Sequence, residues 1–300
     1  NHLLNEQQDQ AIDAFIEAVQ GDPDTAELHF ALGNLFRRRG DYDRAVRVHE
    51  HLLSRADLSS KDRDRAQHAL ALDFLKAGLL DRAEVALNKL QGSAFEGEAL
   101  LALLGIYERS RDWARARVIA ARLEHAEQGS FAPRLAHYLC EQAEIALREG
   151  DAPGATALLD EAVQRAPQLA RAWMALSALR AQAGNASTAF DALLQLNHHA
   201  PQFLPLAAPQ FAALARQSGR EAEATAQLQA SHDRAASVDV TEALAALSTN
   251  LQTARTHYLN HLEREPSLVI TAQWLAGETL SDASAQEKVK RALDQASAPL

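Results

Sequence analysis

Three hundred residues carry 30 Lys and Arg against 40 Asp and Glu, a formal charge of −10, which excludes a strongly basic, general nucleic-acid binder. Apolar residues make up 47% of the chain, much of it Ala and Leu, with only 13 Gly and 9 Pro to interrupt them, a mixture that favours helix throughout. The single cysteine, Cys140, excludes an internal disulfide framework and fits a reducing compartment, and the sequence has no apolar run of the roughly twenty residues that a membrane span needs.

Residues 3–20 place Leu4, Ala11, Phe15 and Ala18 at helical spacing and close at Pro23, the pattern of a second helix whose first partner is missing. The chain opens at Asn1 without a methionine, so we read it as a piece of a longer protein. The first full unit covers about 26–55. Leu28, Leu32, Leu35 and Phe36 form the apolar face of its first helix, and Val46, Val48, Leu52 and Leu53 that of its second. A polar connection follows, in which Ser59 and Asp62 have the spacing of a helix start. Units two and three cover about 64–90 (Leu70, Phe74, Leu87) and 97–125 (Leu100, Leu103, Tyr107, Trp113). The loop at 127–133, with Gly129, Ser130 and Pro133, is the best internal break, although the pattern resumes at once and we read a continuous array across it. Units four and five, 134–167 and 169–201, are the cleanest copies. Unit six, 203–237, is degenerate, and Pro205 and Pro209 predict an irregular start to its first helix. Residues 241–247 and 251–264 make another pair closed by Pro266, and 268–276 and 285–296 read as final capping helices, the last with a charged face of Glu287, Lys288, Lys290 and Arg291. We therefore divide the chain into an array over 1–237, a truncated first unit plus six, and a degenerate repeat with caps over 238–300.

The copies share a phase. Turn glycines fall at Gly40, Gly78, Gly150, Gly184 and Gly219, and Arg111 fills the corresponding slot between Gly78 and Gly150. Five residues after each marker stands alanine: Ala45, Ala83, Ala116, Ala155, Ala189 and Ala224. The residue next to the marker is a good helix N-cap at Asp41, Asp112, Asp151 and Asn185, whereas Leu79 and Arg220 break the pattern. Seven residues before it sits a small residue that lets paired helices approach, at Gly33, Ala71, Ala143, Ser177 and Ala212, with Leu104 the exception. Helix pairs repeating at about 34 residues are the signature of tetratricopeptide repeats, and predict an all-α, right-handed superhelical solenoid.

Chemistry-bearing motifs are scarce. The sequence has neither a glycine-rich phosphate loop nor a G-x-S-x-G elbow. His257 and His261 lie one helical turn apart but lack further ligands and an intervening Glu, so the expected reading is a polar helix face. His198 and His199 are adjacent and diverge on a helix. Cys140 with His137 and Glu144 is the one arrangement that suggests a nucleophile, against which stands the commoner buried, inert thiol. We expect no active site and no cofactor in this stretch. Function then rests on binding. Arg37, Arg38, Arg39, Arg44 and Arg47 form the densest basic patch, either a solvated face paired with Asp41, Asp43 and Glu50 or a surface for an acidic partner or anionic head groups. The first helices of such arrays line the concave side, where the free-face candidates are Phe30, Asn34, Arg37, Arg38, His68, Leu72, Glu108, His137, Glu144 and Arg171. Charge reversal at Arg37 and Arg38 is predicted to weaken partner capture while leaving the array folded. Only Asn34 matches the Lys, Asn and Arg set that holds peptide C-termini in some of these repeats.

Four stretches go further: Leu3-Leu4-Asn5-Glu6-Gln7-Gln8-Asp9-Gln10-Ala11; Leu32-Gly33-Asn34-Leu35-Phe36-Arg37 with Arg39-Gly40 and Asp43-Arg44-Ala45; Ala77-Gly78-Leu79 with Asp81-Arg82-Ala83-Glu84; and Ala136-His137-Tyr138 with Cys140-Glu141. Together these resemble the bacterial lipopolysaccharide assembly protein B family over residues 1–165, fading to fold-level similarity beyond. The resemblance implies a membrane anchor, a cytoplasmic tetratricopeptide array and a rubredoxin-like metal domain with two Cys-x-x-Cys pairs. One cysteine cannot build that four-thiolate site and no apolar anchor precedes Asn1, so the chain is expected to correspond to the array alone. It further implies a non-catalytic adaptor on the cytoplasmic face of the inner membrane. Its partners would be the membrane protease FtsH, the sugar-nucleotide deacetylase that commits precursor to lipid A, and other lipopolysaccharide assembly proteins. A generic scaffold for another envelope or secretion assembly is the alternative, and self-association is a further expectation, since a truncated first unit leaves an unpaired helix near Leu4, Ala11 and Phe15.

Overall fold

The computed structural model describes residues 25–126, 130–275 and 290–291, and the regular elements among them are all helical. The chain divides into two compact units at residues 131 and 132, within the loop through which the sequence reading had carried one array. The first unit contains α1 (Ala26–Arg39), α2 (Tyr42–Ser54), α3 (Ser60–Ala77), α4 (Leu80–Asn88), α5 (Glu96–Ser110) and α6 (Trp113–His125). The second contains α7 (Ala132–Arg148), α8 (Ala152–Arg165), α9 (Ala170–Gln182), α10 (Ala186–His199), α11 (Leu204–Ser218), α12 (Glu221–Arg234), α13 (Val238–Leu247), α14 (Leu251–Arg264) and α15 (Leu268–Leu275). Within each unit a helix packs on its immediate neighbours in sequence, and first helices of successive pairs also touch, as α1 does α3 and α11 does α13. The helices predicted at 3–20 and 285–296 lie outside the described residues, apart from helical Lys290 and Arg291.

The turns explain the hairpins. Gly40 adopts φ 82° and its N–H returns to the Arg37 carbonyl while the Asp41 N–H reaches Phe36, closing the helix end with a left-handed residue. Gly78, Gly150, Gly184 and Gly219 do likewise, and Arg111, in the same slot, is the one non-glycine residue with positive φ among those described, at 55°. A side chain pays a steric penalty there. Arg111→Gly is therefore expected to stabilise the first unit, by at most about 1 kcal/mol once the added freedom of the unfolded chain is set against the relief. Urea unfolding checks this, and a loss of stability would mean that the exposed Arg111 side chain contributes more than its backbone costs.

Asp41, Asp112 and Asp151 cap their second helices by accepting from the N–H of Arg44, Arg115 and Gly154. Asn185 is likewise the N-cap residue of its helix, but its side chain makes no cap bond, which corrects that part of its reading. Ser59 accepts from the Asp62 N–H, as its spacing predicts. All six phase alanines are wholly buried at 0% exposure, so a pattern that abundance alone could have produced marks the tightest point of each pair. The small-residue slots face the same seam: Ser177 donates to the Ala189 carbonyl across it at 2.8 Å. In the second unit a core runs from Ala170 to Leu247, with Phe190 and Phe211 stacked 4.5 Å apart. Despite Pro205 and Pro209, α11 is one continuous helix, entered through a 3-10 turn at Pro201–Phe203. Pro205 lies in its first turn, where a missing N–H costs nothing.

Candidate partner-binding surface

In the first unit the structure reassigns two of the predicted contact residues. Phe30 is 1% exposed and packs against Leu52 and Ala66, because α2 and α3 close over the face of α1 that the sequence left free. Arg37 turns inward. Its Nη1 donates to Asp73 Oδ1 at 2.8 Å and to the Ala69 carbonyl at 3.2 Å, and its Nη2 donates to Asn34 Oδ1 at 2.5 Å. Asp73 is fully buried, and its other oxygen receives His49 Nδ1 at 2.5 Å from a ring that is also fully buried. A carboxylate in that position requires a cation and donors, and Arg37 supplies the charge. The Nε2 edge of the His49 ring sits against Gly33, where any Cβ would overlap it, so the small slot on α1 makes room for this histidine.

His49 and Asp73 escaped the sequence reading. The signal was a carboxylate inside the apolar run 69–75. Arg38 stays exposed, as do Arg44 and Arg47, which bond Asp41 and the Asp43 carbonyl, while Glu50 pairs with Arg82. His68 is half-buried, stacks on Phe95 at 4.7 Å and sits 3.2 Å from Glu98. Burial lowers its pKa and Arg37 adds to this against Glu98, so the ring is neutral at pH 7. Leu72 and Glu108 are half-buried on α3 and α5.

A second missed feature recurs in all three pairs of this unit. An arginine four residues after the turn lies over an aromatic ring four residues before it: Arg44 over Phe36 at 5.5 Å, Arg82 over Phe74 at 4.3 Å, Arg115 over Tyr107 at 4.8 Å. The spacing is legible in sequence once both halves are sought together.

In the second unit three predicted residues do converge. His137 and Arg171, thirty-four residues apart on successive first helices, meet with Nη1 3.3 Å from Nδ1. Arg171 Nη2 also reaches Glu144 at 2.5 Å and Glu141 at 2.7 Å. The result is a half-exposed cluster in which Arg171 is paired with two carboxylates and one imidazole. Cys140 beside it is 1% exposed, and burial pushes its thiol up to about 11, so it is un-ionised at neutral pH and inert as a nucleophile. Among the described residues no group of three or more His, Cys, Asp or Glu could hold a metal, and no helix is long and apolar enough to cross a membrane.

Antiparallel helix pairs, left-handed turn residues in phase and small residues at each seam define an all-α tetratricopeptide solenoid, and the tetratricopeptide repeat family model matches residues 28–65. A chain in the Naa15/Naa10 complex bound to HypK-THB shares the fold with TM-score 0.53 at 16% identity, covering 98% of this chain and 45% of that one. More particular relatives carry one name. Lipopolysaccharide assembly protein B of Escherichia coli K12 is 39% identical over 160 residues, 53% of this chain and 41% of that protein. Lipopolysaccharide assembly protein B of Haemophilus influenzae is 31% identical over 188 residues, 60% of this chain and 47% of that protein. The matches thus span less than half the length of these curated relatives.

Proposed function

We propose that this chain is the repeat array of a non-catalytic adaptor in lipopolysaccharide assembly, which binds proteins at the cytoplasmic face of the inner membrane and links the protease FtsH to the lipid A-committing deacetylase. The observation that carries the reading is the 39% identity to lipopolysaccharide assembly protein B over 160 residues. The fold supports a scaffold role, since stacked helix pairs present extended surfaces and the one candidate nucleophile is buried and protonated.

Affinity capture tests it. Immobilised residues 1–300, and in parallel the full-length protein, are exposed to detergent-solubilised bacterial membranes and cytosol. Retention of FtsH or the deacetylase is expected. If both baits retain another envelope complex and neither of these proteins, the generic scaffold replaces the adaptor. Arg38→Glu is the appropriate surface variant: it is expected to weaken capture while changing stability by under about 0.5 kcal/mol.

A further inference from the structure

The end of the second unit holds a feature separate from the clusters described above. His232 on α12 and His261 on α14 are 3% and 1% exposed, with ring centroids 5.9 Å apart. Their tautomers follow from their neighbours. Arg264 Nη1 stands 3.5 Å from His232 Nδ1 and donates to the His232 carbonyl at 2.6 Å, so a guanidinium faces Nδ1 and the ring proton belongs on Nε2, which is buried without a partner. Thr241 Oγ1 uses its single proton on the Ser237 carbonyl at 2.9 Å, so it accepts from His261 Nδ1 at 2.8 Å and leaves that ring's Nε2 unprotonated. A second proton on His232 would enter against Arg264, and one on His261 would charge a buried ring beside His232.

We propose that His232 and His261 form a proton-sensitive clasp holding α14 and α15 onto α12 and α13, which mild acid opens. The charged and titratable groups acting on His232 are Arg264, Asp233 and His257, and those on His261 are His232, Glu265 and Arg264. Asp233 and Glu265 favour the protonated rings. Burial and the cations oppose them and prevail, since both rings titrate below the ordinary histidine range, as does His257 through burial. The sign follows. The unfolded segment takes up protons near pH 6.5 while the folded one does not, so the clasp is at full strength above that value and weakens as pH falls toward the depressed folded values. Opening would uncover Leu262, Ile270 and Trp274, the small apolar cluster that seats α15.

Amide hydrogen exchange on the whole chain, corrected for intrinsic rates, tests the clasp between pH 7.5 and 5.5. By pH 5.5 protection over 251–275 is expected to have fallen by up to about tenfold for each depressed ring, with 186–218 unchanged. His232→Asn with His261→Asn keeps an acceptor toward Arg264 and a donor toward Thr241 but cannot titrate, and is expected to flatten the dependence. Unchanged protection in the parent chain, or the same fall in the double variant, overturns the proposal. Should that variant not fold, the histidine ring proton shifts of the parent chain decide. Titration of both rings below pH 6.5 in step with the loss of protection supports the clasp, and ordinary titration overturns it.

Discussion

Asp73→Ala is expected to cost the first unit about 3 kcal/mol, the lower end of the loss that follows when one partner of a buried ion pair is removed, since Asp73 is fully buried while Arg37 keeps 18% of its side chain exposed. The variant strips His49 Nδ1 of its acceptor in a ring whose Nε2 already has no hydrogen-bond partner, and leaves Arg37 drawn into a site with no anion. Asp73→Asn should lose less, because the amide oxygen still accepts. Arg37→Glu should lose as much as Asp73→Ala, since it sets a second carboxylate against a buried first. The expectation that reversing Arg37 and Arg38 spares the fold therefore holds for Arg38 alone. Urea unfolding followed by circular dichroism reads these differences, and a cost under about 1 kcal/mol for Asp73→Ala would show that the network is a bystander.

Phe190→Ala should be comparably damaging to the second unit, at about 3–5 kcal/mol, through lost burial and the cavity left behind. Phe190 is 0% exposed, with Phe211 stacked on it 4.5 Å away and the Arg220 guanidinium 4.5 Å from its ring centre. Collapse around the gap is restricted because half of the other buried residues of this core are alanines, which have no side chain to swing into it. Exchange protection across 186–228 should fall with the global stability. A cost below about 2 kcal/mol would indicate that α10 and α11 can repack across the seam.

What the sequence disclosed depended on distance along the chain. Turn glycines, caps and small slots act within one hairpin, so their periodicity located α1 to α12 to within a few residues and even placed Arg111 in its left-handed slot. The partners of Arg37, His49 and Asp73 come from three different helices, and only their packing shows that an arginine on an apparently free face is the counter-ion of a buried carboxylate. Phe30 was misread for the same reason. His137 and Arg171 were legible because they occupy equivalent positions in neighbouring copies, where the repeat itself foretells their meeting. Asn185 had the right residue in the right slot, yet its side chain makes no cap bond. The His232 and His261 contact joins successive second helices, and periodicity marks only that both rings lie at intervals, without revealing that they touch.

The neighbour-on-neighbour packing within each unit also bears on how the molecule is made. Among the described residues the main packing of each helix is on those one or two places away in sequence, so these pairings do not wait on a distant segment, and contact order stays low. Each left-handed turn closes a loop of a few residues, so the entropy of closure is small and a hairpin can nucleate as soon as both its helices have left the ribosome. Assembly then proceeds by accretion, and the late-emerging hairpins find a template already in place.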